Sequence, residues 1–179
     1  MIFKFGARCR CQTEHVGALR GIVVEPTEKL VLGLIVEQPQ AEPLVRVRVP
    51  FLRVDAADGD QIALALSAAD FRQLPEHDGS ASRTPRRQNT RGSRTSTAAE
   101  RILTSRTRIE CRDGADVGSL GCLLVDARSG DVTGFAFPFG VTVMRDLLVS
   151  ADQIAEMADG RLVLELDAEA LAELPTLRG

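Results

Sequence analysis

One pattern occurs twice along the chain. Residues 16–19 read Val-Gly-Ala-Leu and return 101 positions later, at 117–120, as Val-Gly-Ser-Leu. Residues 33–36 return at the same offset, at 134–137, each time as a glycine followed by three apolar residues. A repeat of about 100 residues is too long for a solenoid unit and has the size of a duplicated small domain with its linker. The sequence therefore predicts two copies of one fold.

Each copy is small. The chain has 179 residues, so each copy holds about 70, close to the lower limit at which one apolar core is sufficient. Contact between the copies, or between two chains as a homodimer, is therefore expected to add stability. Apolar residues make up 44% of the chain, but only seven are aromatic and all of these are phenylalanine. The cores must consist mainly of leucine, valine and isoleucine, which fits strands.

Short strands are predicted throughout both copies. The clearest alternation places Val45, Val47 and Val49 on one face and two arginines on the other, a period of two that is typical of a half-buried strand. Similar runs occur at 7–12, 19–24, 30–37, 53–55 and 62–66, and again at 108–112, 120–126, 132–139, 145–154 and 162–166. Asp-Gly pairs at 58–59 and 159–160 predict hairpin turns.

Each copy is predicted to end in a short helical turn. Ser67 and Asp70 form a capping-box-like start, and the turn ends before Pro75. Asp167 is placed to cap the corresponding helix of the second copy. Many short strands with regular turn signals favour a sandwich or small barrel, and closure would remove exposed edges. We therefore predict an all-β fold with two small barrels in tandem.

The segment between the copies has a different composition. Residues 78–99 contain no aliphatic side chain larger than alanine, so this segment cannot bury enough apolar surface to offset the entropy cost of ordering. We predict a first domain at 1–76, a flexible basic linker at 77–105 and a second domain at 106–179. The linker carries six arginines against Asp78 and Glu100, whereas the whole chain has a net charge of −3.

Two sets of residues are candidates for partner contact. Linker arginines could neutralise RNA phosphates or meet an acidic protein surface; the alternative of a solvated spacer is favoured because no aromatic residue interleaves with them to stack on bases. The four arginines concerned are Arg86, Arg87, Arg91 and Arg94. In the second copy, Phe139 lies beyond the repeat-matched part of its strand; core packing is the favoured interpretation, and an exposed apolar contact is the alternative.

Several other classes are not indicated. The chain has no apolar run of the roughly 20 residues that a bilayer requires and no signal peptide at its start, so a cytoplasmic location without a membrane span is predicted. The four cysteines lack zinc-site spacing, and reduced buried thiols are expected. Neither a phosphate-binding glycine loop nor a nucleophile elbow occurs, so no catalytic residue, cofactor or metal site is predicted.

In their order, these motifs resemble the PRC-barrel family, in two copies that cover nearly the whole chain outside the linker. The resemblance rests on the Val-Gly openings at 16–17 and 117–118, on the Val-Pro step at 49–50, on Leu-Val-Ser-Ala-Asp-Gln-Ile at 148–154, and on the closing Leu-Pro pairs at 74–75 and 174–175. Ser150 stands where that family often has proline.

The resemblance implies a small β-barrel that binds protein or RNA and has no catalytic residue set of its own. Related barrels occur in the H subunit of photosynthetic reaction centres, in a ribosome maturation factor and in standalone bacterial proteins. We therefore expect a non-enzymatic, protein-binding bacterial adaptor whose barrels pair within the chain or as a homodimer. The alternatives are an RNA- or ribosome-associated factor that uses the linker, and a soluble accessory of a photosynthetic or electron-transfer complex.

Overall fold

A computed structural model describes residues 1–39, 44–77, 99–140, 145–158, 160–171 and 173–174. We call residues 1–77 the first half and residues 99–174 the second half. The linker arginines singled out above lie outside the described residues. The first half contains β1 (Ile2–Cys11), β2 (Glu14–Glu25), β3 (Leu30–Glu37), β4 (Arg46–Pro50), a 3-10 turn (Phe51–Arg53), β5 (Val54–Leu64) and α1 (Ala68–Arg72).

The second half has the same order of elements, with additional breaks. It contains β6 (Arg101–Leu103), β7 (Arg108–Glu110), β8 (Asp116–Ser119), β9 (Cys122–Val125), β10 (Val132–Phe139), β11 (Arg145–Ser150), a 3-10 turn (Ala151–Gln153), β12 (Ile154–Ala158), β13 (Arg161–Leu164) and α2 (Ala168–Leu171). Among the described residues, the longest helix has five residues, and none is long and apolar enough to cross a membrane.

The strands form two sheets. The larger has nine strands in the order β11-β10-β9-β1-β2-β3-β4, with β5 joined to β1 and β6 to β2. The smaller has the order β12-β13-β7-β8. The all-β prediction is confirmed, whereas the finer expectation of two tandem barrels is not, because the pairings of the described residues close neither sheet and the larger sheet takes strands from both halves.

The duplication is visible in the strand registers. Ile22 is opposite Leu34 in the β2–β3 pair, and Leu123 is opposite Phe135 in the β9–β10 pair, so both partners are displaced by 101 residues. The parallel pair β1–β5 places Cys9 beside Ile62, and the matching pair β7–β13 places Ile109 beside Leu162. Cross-strand partners therefore correspond between the halves. The difference in residue number between equivalent positions of the two halves is 100 in some strands and 101 in others, because single residues are gained or lost in loops.

Glycines at one repeated position have a common steric cause. A Cβ on Gly33 would lie 2.7 Å from the carbonyl oxygen of Val49, and a Cβ on Gly134 would lie 2.6 Å from that of Val149. Both distances are below van der Waals contact, so only glycine lets the two backbones approach this closely.

The first strand segment of each half pairs with a strand of the other half. In the first half, the start of β1 pairs with β5 of its own half and also with β9 of the second half, where Phe3 is opposite Leu123. In return, β6 pairs with β2 of the first half, with Leu103 opposite Ile22. Phe3 and Leu103 are both completely buried. The expected contact between the copies is therefore made within one chain, through a reciprocal pairing.

Strand β6 lies inside the segment that the sequence analysis assigned to the linker at 77–105. The composition argument rested on residues 78–99, which stop before this strand. Ile102 and Leu103 supply the apolar side chains that the preceding residues lack, and Leu103 joins the continuous apolar cluster that runs through both halves. The end of the predicted linker is thus an ordered part of the larger sheet.

The structure contains the helix caps that the sequence predicts, and the cysteines are in the predicted state. Ser67 Oγ accepts a hydrogen bond from the Asp70 backbone N–H, which is the N-cap bond of a capping box, and the Ser67 hydroxyl donates to the Asp70 carboxylate. Asp167 accepts from the backbone N–H of Ala170 at the start of α2. The predicted hairpin at 58–59 does not separate two strands, because the structure has one strand, β5, through these residues; Gly59 there has φ +105°. Of the second predicted hairpin, Asp159 lies outside the described residues. All four cysteines are free and buried, as predicted.

Candidate functional site

Arginines project from the outer face of the first half's sheet. Along β1, Ala7 and Cys9 are buried whereas Arg8 and Arg10 are exposed, because successive strand residues point to opposite faces. Burial raises the pKa of the Cys9 thiol to about 12. The inner face of β1 is therefore an inert part of the core, and the outer face presents cations.

Cross-strand registry extends this basic surface to β4. Arg8 is opposite Ala18, Ala18 is opposite Glu37, and Glu37 is opposite Arg46. Residues directly opposite one another share a face of the sheet, so these side chains form one row across four strands. Three strand spacings separate its ends by about 14 Å. Arg20 lies two residues beyond Ala18 on the same face of β2.

Glu37 holds two of the arginines in place. Its Oε1 accepts a hydrogen bond from Arg20 Nε at 2.8 Å, and its Oε2 accepts from Arg46 Nε at 3.1 Å and from a terminal Arg46 nitrogen at 3.0 Å. Only 10% of the Glu37 side chain is exposed. Burial raises the pKa of Glu37, but hydrogen bonds and charge from Arg46 and Arg20 lower it by more, so the pKa lies below its ordinary value.

The guanidinium groups retain unused donors. An arginine has five N–H donors, and the bonds to Glu37 use one nitrogen of Arg20 and two of Arg46. Among the described residues, the side chains of Arg8 and Arg10 form no ion pair or hydrogen bond. We call Arg8, Arg10, Arg20 and Arg46, arranged around Glu37, the arginine face. It combines four cations with one buried carboxylate.

The second half does not repeat the arginine face. Arg8 corresponds to Arg108, which lies 3.9 Å from the carboxylate of Asp116. According to the strand registers, the positions of Arg10, Arg20, Glu37 and Arg46 are occupied by Glu110, Gly121, Pro138 and Asp146. The two halves share a fold, and only the first carries this surface.

A second surface of the first half is an open groove of about 980 Å³. Leu64, Leu66 and Leu74 contribute apolar atoms to it, and charged residues of both signs line it as well, namely Arg10, Arg53, Asp55 and Asp70. Leu52 lies in the chain between the lining residues Pro50 and Arg53 and is 91% exposed. The second half has Asp152 at the position of Leu52 and Glu165 at that of Ala65, so this apolar surface too belongs to the first half.

The residues predicted from sequence lie elsewhere. Phe139 is half-buried, packs against the core and contacts Phe137 edge-on with ring centroids 6.2 Å apart, which agrees with the favoured interpretation of core packing. It belongs to neither the arginine face nor the groove. Sequence reasoning missed both surfaces. The alternation of arginine with apolar residues in β1 and β4 was the available signal, but only the strand register brings these arginines together around Glu37.

In the part of the chain that the structure describes, no group of three or more histidine, cysteine, aspartate or glutamate side chains is arranged to hold a metal ion. Comparison with protein-family models finds no match to this chain, and comparison with curated proteins finds no significant one.

Proposed function

We propose that this protein is a non-enzymatic adaptor, built from two PRC-type barrel units, that binds a protein partner through its first half. The observation that carries the proposal is Leu52, an almost fully exposed leucine beside a groove that other leucines line in part. Exposed apolar surface of this kind marks interaction sites. Asp152 at the matching position of the second half indicates that the two halves have different roles.

Support for the PRC-type assignment comes from the order of motifs and from the repeated registers. Within the first half, the strands follow the order β4-β3-β2-β1-β5, and a 3-10 turn after Pro50 leads from β4 to β5. The second half has its own 3-10 turn after Ser150. Both units thus contain the step that the resemblance places there.

The chemistry of the groove defines the partner. Its two arginines and two aspartates balance in charge, and three leucines, Leu64, Leu66 and Leu74, are among its lining residues. A polyanion gains little from such a surface, whereas a protein segment with an apolar anchor and little net charge gains burial of that anchor. The occupant is therefore a protein segment of this kind.

The test is recovery of partners by the tagged full-length protein from its source cell after nuclease treatment, followed by binding of the purified partner. Leu52→Asp is expected to abolish recovery and to weaken binding of the partner more than tenfold. Leu44→Asp is the matched control, because Leu44 is also exposed, at 65%, but is separated in sequence from the groove-lining residues, whereas Leu52 directly precedes Arg53, which lines the groove. Equal binding by wild type and Leu52→Asp would overturn the proposal.

A second candidate function, RNA binding by the linker arginines, is favoured by the point at which the chain leaves the first half. The backbone N–H of His77 donates to the carbonyl oxygen of Arg46 at 2.7 Å, so the basic segment starts beside the arginine face. RNA affinity that falls steeply with salt, and is lost when Arg86, Arg87, Arg91 and Arg94 are neutralised, would support it. Unchanged affinity of that variant would contradict it.

A further inference from the structure

We propose that the arginine face of the first half binds the phosphate backbone of a nucleic acid without reading its sequence. This inference extends the second candidate function and moves the binding site from the linker to the folded part of the chain. It is separable from the protein-binding groove, because Arg8, Arg20 and Arg46 do not line that groove. Of the four arginines, Arg10 also lines the groove.

Preorganisation of the guanidinium groups is the first argument. An arginine is well suited to phosphate because its planar group donates parallel N–H bonds to two oxygens. Free arginine side chains lose rotamer freedom when they bind, and this loss of entropy weakens binding. Glu37 already fixes Arg20 and Arg46 and leaves donors of both available. These two side chains are therefore already ordered in the free protein, and they lose little further entropy when a phosphate binds.

Geometry is the second argument. The row from Arg8 to Arg46 spans about 14 Å across the strands, and one strand of a duplex presents a phosphate about every 3.4 Å of helix axis. A path of that length therefore meets about four phosphates. Arg8 and Arg10 on β1 and Arg20 and Arg46 near Glu37 provide two pairs of cations along it.

The row of opposed residues has no large apolar side chain, and this favours a nucleic acid over an acidic protein as the ligand. Protein interfaces obtain most of their affinity from buried aromatic or aliphatic anchors, and the only apolar side chain in the row of opposed residues is Ala18. No aromatic residue stands in the row, so bases have no stacking platform. Contacts made only to phosphates position a nucleic acid without specifying its sequence.

The experiment measures binding of full-length protein to a fluorescent 20-nucleotide oligouridylate by anisotropy, between 50 and 200 mM salt. We expect Arg20→Ala/Arg46→Ala to weaken binding at least tenfold and to reduce the slope of log affinity against log salt by about 1.4, which corresponds to two single-strand phosphate contacts. Because these arginines contact Glu37, Arg8→Ala/Arg10→Ala serves as a second variant: it breaks no side-chain bond within the described residues and is expected to have a similar effect.

The matched control is Arg106→Ala/Arg128→Ala, which removes two exposed arginines of the second half and should leave affinity within twofold of wild type. Oligothymidylate should bind as oligouridylate does. The proposal is overturned if both face variants bind like wild type, or if the control weakens binding equally. It is also overturned if polyglutamate of equal charge binds as tightly as the oligonucleotide. Arg20→Ala/Arg46→Ala and the control change no residue that lines the groove, so their results do not bear on Leu52 and the groove.

Discussion

Leu30 forms an isolated antiparallel bridge with Asp131, the residue that occupies the position of Leu30 in the second half. A residue that pairs with its own equivalent marks the axis of an approximate two-fold symmetry. The flanking bonds obey the same symmetry: the Val31 N–H donates to the Gly130 carbonyl at 2.9 Å, and the Val132 N–H donates to the Lys29 carbonyl at 2.8 Å. The two halves therefore pair as the subunits of a symmetric dimer do.

Side-chain sizes across this axis are complementary. Phe51 packs over Gly130, where an added Cβ would lie 3.0 Å from the ring. At the equivalent contact, the smaller Ala151 faces the longer Lys29, whose Nζ donates to the carbonyl oxygens of Ala151 and Ile154 at 2.7 and 2.8 Å. Pairing of two identical halves would place Phe51 against Lys29, or Ala151 against Gly130. The side-chain sizes therefore favour pairing of the first half with the second half over pairing of two identical halves.

A double-mutant cycle tests the contact between Phe51 and Gly130. Phe51→Ala should cost about 3 kcal/mol of unfolding free energy, because it empties a buried aromatic site. Gly130→Ala should also destabilise, since the position has φ +81° and faces the ring. In the double variant the ring no longer opposes the new Cβ, so the cost should be about 1 kcal/mol less than the sum. Strict additivity in urea unfolding would contradict the packing described here.

Replacement of Gly134 by alanine should destabilise the protein by about 1–3 kcal/mol, because the new Cβ would press on the carbonyl of Val149 and push two paired strands apart. Gly33→Ala should cost a similar amount, since the repeat reproduces the contact. Thr133→Ala, an exposed change in the same strand, is the control and should stay within about 0.5 kcal/mol of wild type. Thermal unfolding of the three variants is sufficient, and a neutral Gly134→Ala would refute the steric argument.

The arginine face should make stability depend on pH through Glu37. Its pKa is lower in the folded state than in the unfolded chain, so its contribution is complete above the unfolded-state value of about 4.3 and disappears as the pH falls through the folded-state pKa. Glu37→Gln should therefore cost about 1 kcal/mol at pH 7, a modest amount because both arginines are half-exposed, and less at pH 3, which lies below the unfolded-state pKa.

Urea unfolding at pH 7, 5 and 3 measures this difference. Glu156→Gln, which removes an exposed carboxylate outside the arginine face, should show no comparable dependence. A Glu37→Gln penalty that stayed constant from pH 7 to pH 3 would mean that the carboxylate charge is not what holds Arg20 and Arg46.

Strands with long apolar or alternating runs could be predicted from the sequence. The bounds of β3 (Leu30–Glu37) and β10 (Val132–Phe139) agree with the prediction residue for residue, because each is an uninterrupted apolar run between turn signals. The cap at Ser67 was predicted for a comparable reason, since the hydrogen bonds that form it connect residues three apart. Such features depend on neighbours in sequence.

Features that depend on distant partners could not be predicted. The start of β1 and the whole of β6 are too short to show a period, and each is held by a strand of the opposite half. The arginine face depends on the register of four strands, which places Arg8 and Arg46 in line although 38 residues separate them in sequence. Hydrophobic periodicity indicates which side of a strand is exposed, but not which exposed residues of other strands lie beside it.

Native-state hydrogen exchange tests the central claim, which is that the two halves form one symmetric unit. The decisive amides are those of Val31 and Val132, whose acceptors lie in the opposite half. If the account is correct, both should exchange only through global unfolding, with the same free energy as the core amides of Leu34 and Phe135. Exchange of Val31 and Val132 at a much lower free energy, while the core amides stay protected, would show that the halves are independent units and would contradict it.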